Sequence, residues 1–140
     1  MSGFLLDTNC IAEIVRIRPE PRVLAWIGDT DENLLYLSVL TFGEIRKGVG
    51  TLLQGKRKSG LEAWLEVELQ ARFSSRILPI EPVADRWGLL AANTKAKGNA
   101  LPIIDGLLAA RAIYHNLRVV SRNVNDLALT QVPVVNPWAP

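Results

Sequence analysis

Asp7, Glu44, Asp105 and Asp126 lie far apart in this chain, yet each stands where an apolar, strand-like run gives way to a helix start. In a parallel α/β sheet those junctions share one edge, so the four carboxylates can meet there. Carboxylates gathered in a poorly hydrated place repel and raise one another's pKa, and a cation keeps them ionised. Oxygen-only ligands select hard ions, Mg²⁺ first and Mn²⁺ next. A water on such an ion becomes a nucleophile while the metal steadies charge on a phosphate oxygen, so the expected reaction is phosphodiester hydrolysis.

Taken singly, each acid has a plainer explanation. Asp7 can cap the helix that follows it, and Thr41-Phe42-Gly43-Glu44 reads as a capping box. Asp105 lies in the first turn after Pro102, where the helix dipole favours a carboxylate. Asp126 can be a solvated turn residue beside Asn123 and Asn125. The group and its surroundings argue for chemistry instead: Asp7 directly follows apolar residues, and Asp105 sits within the almost wholly apolar run from Leu101 to Ala110.

The elements that must position these acids alternate along the chain. Phe4-Leu5-Leu6 reads as a short buried strand, followed by a helix from near Asn9 to before Pro19. Leu34 to Val39 is a second strand. Thr41 to Leu53 carries apolar residues at Phe42, Ile45, Val49, Leu52 and Leu53, a helical stripe. The Gly55-Lys56-Arg57-Lys58-Ser59-Gly60 loop separates it from a helix over Leu61 to Phe73, which makes a helical hairpin. Arg76 to Ile80 is a third strand, helices follow over Pro82 to Ala96 and Pro102 to His115, Leu117 to Ser121 is a fourth strand and Val132 to Val135 a fifth. The alternation implies an α/β fold with a parallel sheet of about four to five strands covered on both faces.

With 140 residues the chain suits one domain, 1–140, with one sizeable core. It is 49% hydrophobic and 21% charged, which excludes a disordered or collagen-like chain. A net charge of +2 leaves any nucleic-acid affinity to local patches. One cysteine, Cys10, and one histidine, His115, provide neither an intramolecular disulfide nor a zinc ligand set. The N-terminus lacks a basic leader and Asp7 interrupts its apolar run, so a cytoplasmic protein without a membrane partner is expected.

Leu5-Leu6-Asp7-Thr8-Asn9, Ser38-Val39-Leu40-Thr41 leading to Glu44-Ile45-Arg46-Lys47-Gly48, Asp105-Gly106-Leu107-Leu108-Ala109-Ala110, Ser121-Arg122-Asn123 and Asn136-Pro137-Trp138 together resemble the PIN-domain toxins of VapC and FitB type, in order and spacing over nearly the whole chain. The resemblance implies a PIN-like three-layer α/β/α fold and a metal-dependent ribonuclease, usually the toxin half of a type II toxin–antitoxin pair. Its implied partners are RNA, a small VapB-type antitoxin that silences it, and a second copy in a homodimer or higher assembly. Asp7, Glu44 and Asp105 match the family's metal-holding acids. For the fourth place, many members carry an acid directly after the Arg of the last motif, where this chain has Asn123; others carry one three residues later, here Asp126. The sequence leaves both open. Thr8, Asn9 and Ser121 match motif polar residues that orient the acids, with local turn bonds as the plain alternative.

Arg46, Lys47 and Arg122 neighbour the acidic positions and are candidates for holding RNA phosphates, although charged faces are commonly just solvated. Gly50 to Arg57 nearly spells a phosphate-binding loop, but Arg57 stands where the magnesium-holding hydroxyl belongs. His115 at a helix end reads as a dipole partner, Cys10 as core, and Trp26, Trp64, Trp87 and Trp138 as packing residues. Two other classes are a PIN fold that has lost catalysis and only binds RNA or a partner, and a phosphoacceptor receiver-like domain. The latter wants paired acids after the first strand, where only Asp7 stands.

Overall fold

A computed structural model describes residues 3–79, 87, 90, 91, 94, 97, 98 and 101–140. Five strands, β1 (Phe4–Leu6), β2 (Leu35–Ser38), β3 (Ile77–Leu78), β4 (Arg118–Val120) and β5 (Val134–Val135), form one sheet in the order β3-β2-β1-β4-β5. Every pairing is parallel, with Leu5 opposite Tyr36 on one side and Val119 on the other. The helices are α1 (Thr8–Ile14), α2 (Pro21–Asp29), α3 (Val39–Gly50), α4 (Lys56–Ala63), α5 (Ile103–Tyr114) and α6 (Val124–Ala128).

Neighbouring strand residues feed opposite layers. Leu6 and Val120 join Ile11, Val23, Leu37 and Phe73 in one core, whereas Leu5 and Val119 join Leu108, Ala109 and Leu127 in the other. A strand buried on both faces has no polar side, which is why Phe4-Leu5-Leu6 shows no alternation. The three-layer arrangement is therefore as expected.

Boundaries differ at informative places. Ser38, not Thr41, caps α3: its hydroxyl accepts the Leu40 N–H at 3.1 Å, and Thr41 is wholly buried within the helix. The capping box is not formed, and Glu44 is free of that duty. The helix also stops at Gly50, leaving Leu53 91% exposed. The segment expected as a loop at 55–60 is mostly helical, because α4 already starts at Lys56 and runs on through a π-helical stretch, Trp64–Leu69, to Gln70–Arg72. One helix was not anticipated: Pro21 at the first position of α2 and Glu20, whose carboxylate accepts the Arg22 N–H, start it. Asp126 lies in the first turn of α6, at the helix start its position suggested and not in a solvated bend. The helix expected over Pro82 to Ala96 lies outside the described residues except for helical positions at Trp87, Leu90, Ala91 and Thr94. Gly106, directly after Asp105, is required by close packing: a Cβ there would stand 2.8 Å from Leu101 and 3.1 Å from Trp87.

Candidate metal centre

The strand order reverses between β1 and β4, and the carboxyl ends flanking such a reversal form a crevice. Asp7 follows β1 and Ser121 follows β4, so both enter that crevice. The Asp7 N–H donates to the Val120 carbonyl at 2.9 Å, prolonging the ladder by one residue and fixing the side chain. Only 5% exposed, Asp7 accepts the Thr8 N–H on Oδ1 at 2.7 Å and the Ser121 hydroxyl on Oδ2 at 2.7 Å. It thus caps α1 and still belongs to a wider network.

That network reaches Asp105. Ser121 Oγ accepts the Asn123 N–H at 2.9 Å and the Asn9 side-chain amide at 3.1 Å, while the Asn123 side-chain amide donates to Asp105 Oδ2 at 2.8 Å. Asn9 Oδ1 accepts the Arg122 N–H at 3.4 Å, tying the loop after β4 to α1. On the other side, Thr8 Oγ1 donates to Glu44 Oε1 at 2.5 Å and lies 3.4 Å from Thr41 Oγ1. Residues from β1, α3, α5 and the β4–α6 loop are so brought to one edge.

Electrostatics report the same convergence. Burial raises the Asp105 carboxyl to about 6, with further pushes from Asp7, Asp126 and Glu44. Asp7 is also raised, chiefly by burial and slightly by Glu44, against the bonds from Ser121 and Thr8 that favour its charged form. Cys10, buried under Asp7 and Glu13, is pushed up to about 12, which leaves its thiol inert at neutral pH. Among the described residues, however, no three acidic, histidine or cysteine side chains close into a ready cage. The donor set is hard oxygen, anionic and mutually repelling, and it fits an open Mg²⁺-type site in which water fills much of the coordination sphere. It does not fit a closed all-protein cage.

The remaining sequence candidates divide. Asp126 acts on Asp105 through its charge. Lys47 and Glu44 line a cleft of about 580 Å³ with Val39, Leu40 and Ile104. Arg46 instead pairs with Glu66 across the hairpin at 3.0 Å, and the Arg122 guanidinium lies over Trp138, 5.3 Å from the ring centroid. His115 ends the helix that Asp105 begins, roughly 15 Å away at the rise of an α-helix. Its Nε2 meets Arg111 Nη1 at 2.7 Å, and it takes no part in the acidic edge. Ser121 reads in the sequence as a motif polar residue orienting the acids; that it bridges Asp7 and Asn123 needed the fold.

Comparison with known proteins agrees with this architecture. The PIN domain family matches residues 4–131. Toxin FitB of Neisseria gonorrhoeae is 40% identical over 135 residues, covering 96% of this chain and 97% of FitB. VapC ribonuclease Y4jK of Sinorhizobium fredii is 34% identical over 137 residues, covering 97% and 98%. The crystal structure of FitAcB from Neisseria gonorrhoeae superposes with a TM-score of 0.93 at 39% identity, covering 98% of this chain and 99% of that one. A receiver-like domain is thereby ruled out, and the chain belongs to the PIN-domain family, with FitB- and VapC-type proteins as its relatives.

Proposed function

We propose that this chain, as one domain over residues 1–140, is a divalent-metal-dependent endoribonuclease and the toxin half of a type II toxin–antitoxin pair in the cytoplasm. The observation that carries the reading is the hydrogen-bonded line from Asp7 through Ser121 and Asn123 to Asp105, with Glu44 held beside it by Thr8. The names of the relatives, a toxin and a ribonuclease, support it. Among the described residues no helix is long and apolar enough to cross a membrane.

Asp7, Glu44 and Asp105 would hold Mg²⁺ or Mn²⁺, which when bound supplies an activated water and charge stabilisation at a phosphate oxygen. Asp126 adds negative charge on the α6 side. Asn123 positions Asp105 through its amide N–H, leaving its carbonyl oxygen as a further hard donor. Thr8 and Asn9 orient Glu44 and Ser121, and Lys47 and Arg122 flank the edge where RNA phosphates approach. A VapB-type antitoxin covering this edge would silence it, and the active form would be a homodimer.

The test is cleavage of an RNA panel with Mn²⁺ or Mg²⁺ by protein freed of any copurifying small partner. Wild type should cut and gain activity on stripping, while Asp7→Asn should not cut. Equal cleavage by both proteins would remove Asp7 from the reaction. Asn123 in the place of an acid favours one other reading, a PIN fold that binds without cutting; absence of metal-dependent cleavage together with retained RNA binding would establish it.

A further inference from the structure

Three arginines outside this chemistry stand around one cleft. Arg16, Arg18 and Arg57, with the 81%-exposed Ile17, line a space of about 390 Å³ beyond the C-terminal end of α1. A neighbouring groove of about 320 Å³ starts at Thr8 and Glu44, passes between α1, α3 and α4, and ends at Arg16 and Arg57. Those two arginines are walls of both spaces, so one path joins the carboxylates to the guanidinium groups.

Helix capping explains part of the cluster. Arg57 Nη2 donates to the Val15 carbonyl at 2.9 Å, and Arg16 pairs with Glu13 at 3.3 Å, both favourable at a helix C-terminus. It explains neither Arg18 nor the convergence. Among the described residues, the exposed Arg46, Arg72 and Arg22 meet an acid, in Glu66, Glu32 and Glu20, and the exposed Arg118 and Arg122 lie over the Phe4 and Trp138 rings. Among the described residues, Arg18 and Arg57 meet none, and Glu13 is the one carboxylate paired within the cluster.

We infer that Arg16, Arg18 and Arg57 form a phosphate-binding subsite for single-stranded RNA, gripping the backbone a few nucleotides from the bond that is cut; this rests on the ribonuclease reading. Four carboxylates leave the edge itself with little net attraction for a polyanion even with Lys47 and Arg122 beside it, so cations further along the groove add to the draw on RNA. Seven residues of α1 span the distance between them, roughly 10 Å. A guanidinium fork suits phosphate oxygens, and the hydrogen bond to Val15 holds that of Arg57 in place before RNA arrives. Trp64 and Leu52 on the groove wall offer apolar surface against which bases can lie.

Binding is measured by fluorescence anisotropy of labelled single-stranded RNA on Asp7→Asn protein in EDTA, so that the readout does not depend on cleavage. Adding Arg18→Glu and Arg57→Gln should weaken binding about tenfold or more at low salt and lower the slope of log K against log salt by about 0.7 for each phosphate no longer neutralised. Arg18→Glu alone, whose side chain holds no described element in place, should give part of both effects, and Arg22→Gln on the same background should give neither. In cleavage by the otherwise wild-type enzyme, the penalty should be at least several-fold larger on a long RNA than on a dinucleotide too short to reach the cluster. Unchanged affinity and salt slope in the Arg18 and Arg57 variants would overturn the subsite. RNA binding retained while antitoxin affinity falls would overturn it too, and would assign the arginines to the protein partner. Failure of cleavage with these binding effects intact would count against the nuclease reading alone.

Discussion

The two ends of the sheet handle charge in opposite ways. At the amino end charges meet partners: Arg76 donates to the Glu32 carboxylate at 2.9 Å and to the Glu32 and Leu35 carbonyls at 2.6 Å, Arg72 joins it on Glu32, and Arg118 lies 4.7 Å over the Phe4 ring. At the carboxyl end like charges are collected, and Asp105 is driven up to about 6 by burial and by Asp7, Asp126 and Glu44. The first arrangement lowers the free energy of the fold, and the second raises it until a cation arrives. An unneutralised cluster held in place by Ser121, Asn123 and Thr8 is what a binding site costs; an ion-paired cluster is what stability selects.

Substitutions at the carboxyl end should act on activity and those at the amino end on stability. Asp7→Asn and Asp105→Asn should each lower cleavage by roughly three orders of magnitude, with circular dichroism unchanged and Asp105→Asn melting at the same or a higher temperature in EDTA. Wild-type turnover in either variant would dissolve the contrast. Arg76→Ala should cost about 2 kcal/mol in denaturant unfolding, since it takes a donor from the Glu32, Leu35 and Arg72 carbonyls and leaves Arg72 alone on the Glu32 carboxylate, yet keep the metal-dependent rate of the folded protein. Thr8→Val removes the donor to Glu44 and should weaken metal affinity or activity about tenfold, the usual effect of losing an outer-shell partner.

The smallest effect is in the pH profile, where the two ends have opposite signs. Glu32 is lowered by its bonds and charge interactions with Arg72 and Arg76, so its contribution is present above its unfolded pKa and lost as the solution is acidified. Asp105 moves from 3.8 to about 6; the metal-free fold binds that proton more tightly than the unfolded chain does, so stability falls as pH rises from about 4 to about 6. Thermal melts in EDTA should show this fall in wild type and a smaller one in Asp105→Asn, where only Asp7 is still raised at this edge. Saturating Mn²⁺ should abolish it, because the ion binds the ionised form.

The sheet was legible, and the acids could be singled out as candidates, because both depend on local signals. Phe4-Leu5-Leu6 followed by Asp7, and Val119-Val120 followed by Ser121, mark strand ends by the switch from apolar to polar residues. What escaped was set by tertiary contacts. Pro19 read as the stop of the first helix and no element was expected between it and the second strand, whereas Pro21 begins α2 with Val23 and Ile27 packed in the core. Thr41 read as a cap because its sequence spacing to Glu44 was right, but Ser38 lies at the strand end and takes that place. The arrangement of Ser121 between Asp7 and Asn123, and the meeting of Arg16 with Arg57, join residues about 40 to 114 positions apart. No spacing rule records such pairs.

Anomalous diffraction from crystals soaked in Mn²⁺ would locate the cation itself. A manganese peak should stand at the carboxyl edge within bonding distance of both Asp7 and Asp105, with Glu44 bound directly or through water, and should be lost in Asp105→Asn crystals. A peak seated elsewhere, or an empty carboxyl edge at saturating Mn²⁺, would contradict a metal site built on these acids.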